Sequence, residues 1–464
     1  MMTPSSTHDF DRTILREYDI RGIIGETLSA EDAYAIGRGF TTLAGDGAET
    51  ICVGYDGRLS SPELEEAVVA GIMDAGATAI RVGLGPTPML YYAVHTLEAA
   101  GGIMISGSHN PPEYNGFKML TSAGSFFGAD IQKLGEIAAA GNYRTGSGRQ
   151  EIRHVFDDYV ARMAVDYDGA RDLKVAWDAG NGSAGRAMEV LCAKLPGEHI
   201  LLNEKIDGTF PAHHPDPTMP ENLEQLIRTV IDEGCDFGFA FDGDGDRIGM
   251  VDGQGRILWG DQLMVLLARD VLAAQPGATI IADVKASQAL FDEIDRLGGV
   301  PLMGRTGHSL IKAKMKETGA PLAGEMSGHI FIADHYFGFD DALYAAVRLL
   351  GHVSRSGKSA SELRDGLAQP VNTPEIRIPC SEERKFAVIV EVADRLRIAG
   401  AKVNDIDGVR VSTDDGWWLL RASNTQDALV ARCEAQDDAG LDRLWAALVA
   451  QLEQSSIAAP DLST

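Results

Sequence analysis

Asp242-Gly243-Asp244-Gly245-Asp246-Arg247 sets three carboxylates at alternate positions, separated by glycines and followed at once by an arginine. In an extended segment or tight loop this spacing lets three oxygen ligands converge on one hard cation, and the glycines let the backbone turn sharply. An EF-hand calcium loop would need glycine at its sixth position and glutamate at its twelfth. Counted from Asp242, those positions hold Arg247 and Gly253, so the EF-hand is excluded. A solvated acidic turn would share the composition. Arg247 argues for more, because arginine grips phosphate bidentately and Mg²⁺ commonly completes a carboxylate shell with phosphate oxygen or water. The expected fourth ligand is a phosphate, on a substrate or on a modified side chain.

Other segments carry complementary groups. Gly107-Ser108-His109-Asn110-Pro111-Pro112 follows an apolar run ending at Ile105. A serine at a strand end, in a loop held open by prolines, is placed to attack or to carry a group, although it also reads as an ordinary loop residue. No Gly-x-Ser-x-Gly elbow surrounds it, which disfavours a serine hydrolase. Lys118, after Asn115-Gly116-Phe117, either brings an ammonium to the same spot or lies in solvent. Gly324-Glu325-Met326-Ser327-Gly328-His329 offers a carboxylate, a hydroxyl and an imidazole to vicinal sugar hydroxyls, or forms a polar turn. Arg421-Ala422-Ser423-Asn424-Thr425 follows the apolar run Trp417–Leu420, and an arginine, small polar side chains and loop amides can make a phosphate nest or a plain turn.

Strands must hold these loops in place. Phe237–Phe241 and Ile248–Val251 read as strands on either side of the carboxylate loop. Three successive stretches alternate strand and helix. The first has strands at Thr50–Gly54, Ala79–Val82 and Gly102–Ile105 and a helix over Ser61–Ala75 with a Ser-Pro start. The second runs from Leu173–Trp177 through the glycine-rich Asp178–Gly182 into a helix near Arg186–Lys194. The third has a strand at Thr279–Asp283, a helix near Ser287–Leu297, and strand, loop and strand from Ala320 to Ile332. Such alternation implies sheets covered on both faces. Polar, glycine-rich Gly141–Gly148, the hairpin-like turn Asp252–Gly255 and the proline-flanked Gln369–Pro379 punctuate the chain. Beyond them the order changes to strand, helix near Glu382–Ala399, short strands and a last helix over Gly440–Gln454. The expectation is α/β architecture with four domains, 1–154, 155–256, 257–368 and 369–464, the last of them α+β.

The 464 residues suffice for such a division, and the 45% hydrophobic content supports ordinary cores. With 41 basic against 68 acidic side chains, the net charge of −27 argues against nucleic acid or an anionic membrane as partner. A phosphate-binding protein this acidic needs a local basic cluster. Cys52, Cys192, Cys235, Cys380 and Cys433 are odd in number and scattered, with neither disulfide nor metal-ligand spacing, so buried free thiols in a reducing compartment are expected. The polar Met1–Phe10 and the lack of any run of about 18 apolar residues lead us to expect a soluble cytoplasmic protein.

Five motifs in order, Tyr18-Asp19-Ile20-Arg21-Gly22 and the Ser108, Asp242, Glu325 and Arg421 loops, resemble those of the α-D-phosphohexomutase family, close to its bacterial phosphomannomutase/phosphoglucomutase branch. The likeness spans nearly the whole chain. It implies four domains around a central cleft, three related α/β domains with mixed sheets and a C-terminal α+β domain, acting as a monomer. It implies a phosphoserine at Ser108, with Mg²⁺ held by that phosphate and by Asp242, Asp244 and Asp246. Glu325 and Ser327 match sugar-hydroxyl contacts, and Arg421, Ser423, Asn424 and Thr425 match a clamp on the distal phosphate. Arg247 matches a residue near the reacting phosphate, and Tyr18, Arg21, Lys118, Lys285, His308 and His329 match further cleft residues. Lys118 and His329 become candidates for proton transfer. The implied reaction exchanges the 1- and 6-phosphates of glucose or mannose through a hexose 1,6-bisphosphate. Arg421-Ala-Ser-Asn-Thr departs from the commoner arginine-proline-serine-glycine-threonine form, and Met326 disfavours the phosphoglucosamine mutase branch. A metal phosphatase and a non-enzymatic sugar-phosphate binder are the rival classes.

Overall fold

The computed structural model describes residues 7–45, 49–424 and 426–460. Among the described residues the strands form four sheets. In the first, the order is Ile20–Ile23, Tyr114–Thr121, Gly101–Ile105, Thr50–Tyr55, Thr78–Leu84 and Arg149–Ile152, with Gly124–Phe126 pairing on Tyr114–Thr121. Its last four strands run parallel and the first two join antiparallel. The second sheet orders Ile257–Leu258, Ile248–Asp252, Phe237–Phe241, Lys174–Asp178 and Glu198–Leu202. The third orders Val300–Gly304, Thr279–Asp283, Leu322–Gly324 and Ile330–Ile332. All three mix parallel and antiparallel pairs, as the family resemblance implied. The fourth is antiparallel throughout, with Ala428–Ala435 and Gly416–Ala422 at its centre.

Side-chain alternation shows how the sheets are covered. Along the first sheet, Cys52, Ile80 and Met104 face one apolar cluster while Ile51, Val53, Ile103 and Ile105 face another. Along the second, Val175, Trp177, Phe237 and Phe239 join the same cluster as Cys52, and Ala176 and Ala240 face a smaller one. Along the third, Ile280, Ala282 and Leu322 again join it, with Ile281, Ala323 and Phe331 opposite. One continuous core therefore welds the first three sheets together, and each keeps a private core on its outer face.

The fourth sheet is built differently. Trp418 and Leu420 pack under the helices Glu382–Ile398 and Asp438–Gln454 in a core of their own. The alternate residues Trp417 and Leu419 meet Val284 in a three-residue apolar patch. Alternation continues to Arg421, which lies on the same face as Trp417 and Leu419, towards the third sheet. All five cysteines are buried and unpaired. No helix among the described residues is long and apolar enough to cross a membrane.

Candidate active site

The chemistry-bearing loops leave the carboxyl ends of strands, where open α/β sheets bind ligands. Ser108 follows Gly101–Ile105, the three aspartates follow Phe237–Phe241, Lys285 follows Thr279–Asp283, His308 follows Val300–Gly304, and Glu325 follows Leu322–Gly324. Two of the loops are tied edge to edge. Ile248 N–H donates to the Gly328 carbonyl at 3.0 Å, and Arg247 and His329 form a β-bridge.

Asp242, Asp244 and Asp246 are fully buried and present carboxylate oxygens within 4.8 Å of one another. The Ser108 hydroxyl donates to Asp242 Oδ2 at 2.8 Å, so the candidate nucleophile meets the carboxylate triad directly. Asp242 Oδ1 accepts the Asp246 and Arg247 amides, both at 3.1 Å. Asp244 Oδ2 accepts from Thr87, Ser106 at 2.8 Å and Lys118 at 2.7 Å, and Lys118 also pairs with Asp246. Asp244 Oδ1 and Asp246 Oδ1 are buried with no hydrogen-bond partner. Two orphaned carboxylate oxygens beside a third carboxylate and a hydroxyl fit a hard divalent cation such as Mg²⁺. The electrostatics agree. Burial, with Asp244 and Asp246 close by, pushes the Asp242 carboxyl well above its ordinary range. Burial also opposes charge on Lys118, but Asp244, Asp246 and Asp242 outweigh it and hold the ammonium protonated.

Backbone contacts fix this loop. Its carbonyls at Gly243, Asp244 and Gly245 accept from Ser183 N at 2.9 Å, Thr87 N at 2.8 Å and Ala342 N at 3.3 Å. A Cβ at Gly243 would lie 2.4 Å from the Ser108 carbonyl oxygen, so only glycine lets the metal loop and the serine loop approach this closely.

Around this centre stand the remaining residues singled out in the sequence. Arg247 Nε donates to His329 Nε2 at 3.0 Å, which leaves the His329 proton on Nδ1, 3.1 Å from Asp340 Oδ2. His308 stacks on His329 with ring centroids 5.5 Å apart. Glu325 accepts from Gly307 N at 2.5 Å and from Ser327 Oγ at 3.1 Å. Arg21 pairs with Asp19 and with Asn110 of the serine loop. Tyr18 donates to the Thr306 carbonyl at 2.7 Å and accepts from Asn424, reaching the last domain. Burial pushes its phenol up to about 12, so it stays protonated. Arg421 Nε meets Asp407 at 3.0 Å, and Ser423 Oγ accepts the Gln426 amide at 3.2 Å. Lys285 Nζ meets Glu375 Oε2 at 2.9 Å. Thr425 lies outside the described residues.

Basic side chains singled out in the sequence are buried at these loops with acidic partners. Lys118, Lys285 and Arg421 are each held by carboxylates. Sequence reasoning missed Thr87, Ser106, Asp340, Glu375 and Asp407. Thr87 and Ser106 are common residue types beside prolines and glycines, and only the fold brings them to Asp244. His109 Nδ1 lies 3.2 Å from Ser108 Oγ, and adjacency in the sequence was a usable signal for it.

The chain matches four families one after another. They are described as phosphoglucomutase/phosphomannomutase alpha/beta/alpha domain I over residues 12–144, domain II over 155–255, domain III over 259–371, and the C-terminal domain over 375–451. A Pseudomonas putida protein named phosphomannomutase/phosphoglucomutase is 47% identical over 93% of this chain and 94% of its own length. A Neisseria gonorrhoeae protein named phosphoglucomutase is 42% identical over 96% of this chain and 97% of its own. Among solved structures, a phosphoglucomutase/phosphomannomutase family protein from Burkholderia thailandensis superposes with a TM-score of 0.91 at 42% identity, covering 97% of this chain and 99% of that one.

Proposed function

This chain belongs to the phosphoglucomutase/phosphomannomutase family, and from that premise we propose that it moves a phosphoryl group reversibly between C1 and C6 of glucose and mannose phosphates. The observation that carries the reading is the Ser108 hydroxyl, 2.8 Å from Asp242 in a buried carboxylate triad. Phosphorylated Ser108 donates to the free hydroxyl of a hexose phosphate, which gives the 1,6-bisphosphate. The bisphosphate turns over within the cleft and returns its other phosphate to Ser108. Asp242, Asp244 and Asp246, with the phosphate on Ser108, would hold Mg²⁺, which would supply charge neutralisation for the transferring group. Arg247 steadies the reacting phosphate. Lys118 and His329 are the candidates for proton transfer with the sugar hydroxyl, and Lys118, held protonated by the aspartates, is suited to donating a proton or to acting by its charge. Glu325 and Ser327 grip sugar hydroxyls, and Arg421, Ser423, Asn424 and Thr425 hold the distal phosphate, with Tyr18, Arg21, Lys285 and His308 lining the cleft. We assign the enzyme to the cytoplasm, as a monomer.

One assay separates the rivals. With glucose 1-phosphate, Mg²⁺ and trace glucose 1,6-bisphosphate, a mutase forms glucose 6-phosphate, a phosphatase releases inorganic phosphate, and a binder yields neither.

Specificity follows from the turnover of the intermediate. One pocket must grip the C3 and C4 hydroxyls in two orientations, whereas the C2 hydroxyl lands in different places. Glucose and mannose differ only at C2, and galactose inverts C4. Losing a paired hydroxyl leaves a buried group unsatisfied at about 1–3 kcal/mol, or roughly tenfold to hundredfold in rate. Galactose 1-phosphate is therefore expected to show a kcat/KM lower by that factor, with mannose 1-phosphate comparable to glucose 1-phosphate. Equal turnover of the galactose compound would refute this account.

The last domain has a separate core and a small apolar contact with the third sheet, so it can turn as a body. Arg421→Ala is expected to raise KM and lower kcat while sparing phosphorylation of Ser108 by excess bisphosphate. Small-angle scattering of the wild type should show compaction with substrate, and an unchanged profile would count against closure.

A further inference from the structure

Ser108 sits in the left-handed backbone region at φ +49°, a conformation that L side chains seldom adopt without outside support. The support comes from a residue fifty positions earlier. Arg58 is 1% exposed, and its guanidinium donates to four carbonyls, three in the serine loop and one at Tyr114, where the next strand begins. Nη2 reaches Ser108 O at 2.8 Å and Asn110 O at 2.6 Å, and Nη1 reaches Pro111 O at 2.5 Å and Tyr114 O at 2.9 Å. Nε faces Asp56 Oδ2 at 3.3 Å.

Asp56 completes the device. It accepts the Arg58 amide at 3.0 Å, the Ser61 hydroxyl at 2.6 Å and, from the serine loop itself, the Gly107 amide at 3.1 Å. Strand order makes the contact possible. Thr50–Tyr55 and Gly101–Ile105 are parallel neighbours, with Tyr55 level with Ile105, so the turn after one strand lies against the loop after the other. The packing leaves no slack, because a Cβ at Gly107 would lie 2.3 Å from Arg58 Nε. The far side of the guanidinium faces the Phe210 ring at 5.2 Å, on the long loop of the second domain.

We propose that Arg58 is a positioning residue for phosphoryl transfer: its four-pronged grip holds Ser108 in the left-handed conformation that aims Oγ at Asp242, and its buried charge supports a loop that gains a phosphate dianion. The inference rests on the reading of Ser108 as the phosphate carrier. It assigns to Arg58 no contact with substrate. A planar guanidinium suits four carbonyls at once, and a lysine ammonium does not.

The test uses full-length enzyme freed of phosphate, with Arg58→Gln, Arg58→Lys and Gly107→Ala beside wild type. Intact-protein mass spectrometry after rapid quench follows phosphorylation of Ser108 by glucose 1,6-bisphosphate with Mg²⁺, and calorimetry measures glucose 6-phosphate affinity. A small misplacement of the accepting hydroxyl is expected to slow phosphorylation about a hundredfold in Arg58→Gln, with affinity changed only slightly, because the sugar and distal-phosphate grips lie elsewhere. Arg58→Lys should recover little of the rate. Gly107→Ala should reproduce the split with Arg58 intact, and decides the matter together with Arg58→Lys if Arg58→Gln does not fold. Wild-type phosphorylation rates in the variants would overturn the proposal, as would rate and affinity falling in parallel with melting temperature. Absence of Ser108 phosphorylation in wild type would overturn the parent reading as well.

Discussion

Ser108→Ala is expected to remove phosphohexose interconversion by about four orders of magnitude or more, the scale seen when a covalent nucleophile is lost. The variant should keep its melting temperature within a few degrees. The hydroxyl hydrogen-bonds to Asp242 and contributes to no apolar core, and the loop is held by main-chain carbonyls that alanine retains. Intact-mass and peptide mass spectrometry supply a second measurement. Wild type treated with glucose 1,6-bisphosphate should carry one phosphate at residue 108, and the variant none. A fully active wild type with its phosphate elsewhere would show that another group carries it. Binding of glucose 6-phosphate should survive in the variant, which separates loss of transfer from loss of the cleft.

Asp244→Asn should cost nearly as much, for a different reason. Oδ2 of Asp244 collects Thr87, Ser106 and Lys118, and its Oδ1 is one of the two orphaned oxygens of the triad. An amide in its place removes one negative charge from the cation site and turns its N–H group either towards the three donors at the Oδ2 position or towards the cation at the Oδ1 position. Loss of several kcal/mol of charge stabilisation in transfer corresponds to about a hundredfold to ten-thousandfold in kcat. Titration calorimetry with Mg²⁺ should show weakened binding, and activity should recover only in part at high Mg²⁺. Chelation should abolish wild-type activity and Mg²⁺ should restore it. Undiminished Mg²⁺ affinity in Asp244→Asn would remove this residue from the metal site.

The two variants also separate roles that activity alone would merge. Ser108→Ala should bind Mg²⁺ with the carboxylates unchanged in number, whereas Asp244→Asn should retain a phosphorylatable serine. Lys118 will report on both, since its ammonium is held protonated by the same carboxylates proposed to receive the cation.

Much of this site could be read in the chain because chemistry and backbone coincide over short spans. The triad spacing of Asp242, Asp244 and Asp246, the excluded EF-hand, and the Glu325 and Arg421 loops are local patterns, and a few covalent bonds dictate how far apart their groups can be. Strand assignments such as Phe237–Phe241 and Thr279–Asp283 were legible for the same reason: a short apolar run that stops at an aspartate, Asp242 in one case and Asp283 in the other, has few other homes. The change to an α+β order in the last part of the chain was legible in the order of elements.

Contacts between distant segments were not. Arg58 reads as one more arginine in a turn, and Asp407 and Glu375 as surface carboxylates, until parallel strand order, the antiparallel pairing of Val409–Thr413 with Gly416–Ala422 and the docking of the last sheet bring them to Ser108, Arg421 and Lys285 respectively. The sequence alone determined which groups could do the chemistry and that strands would present them at loop ends. The tertiary structure decided which strand ends are neighbours, that one apolar core joins three sheets while the fourth keeps its own, and which buried partner holds each charge. Those outcomes depend on burying apolar faces and pairing charges across tens to hundreds of residues, and chain spacing does not encode such distances.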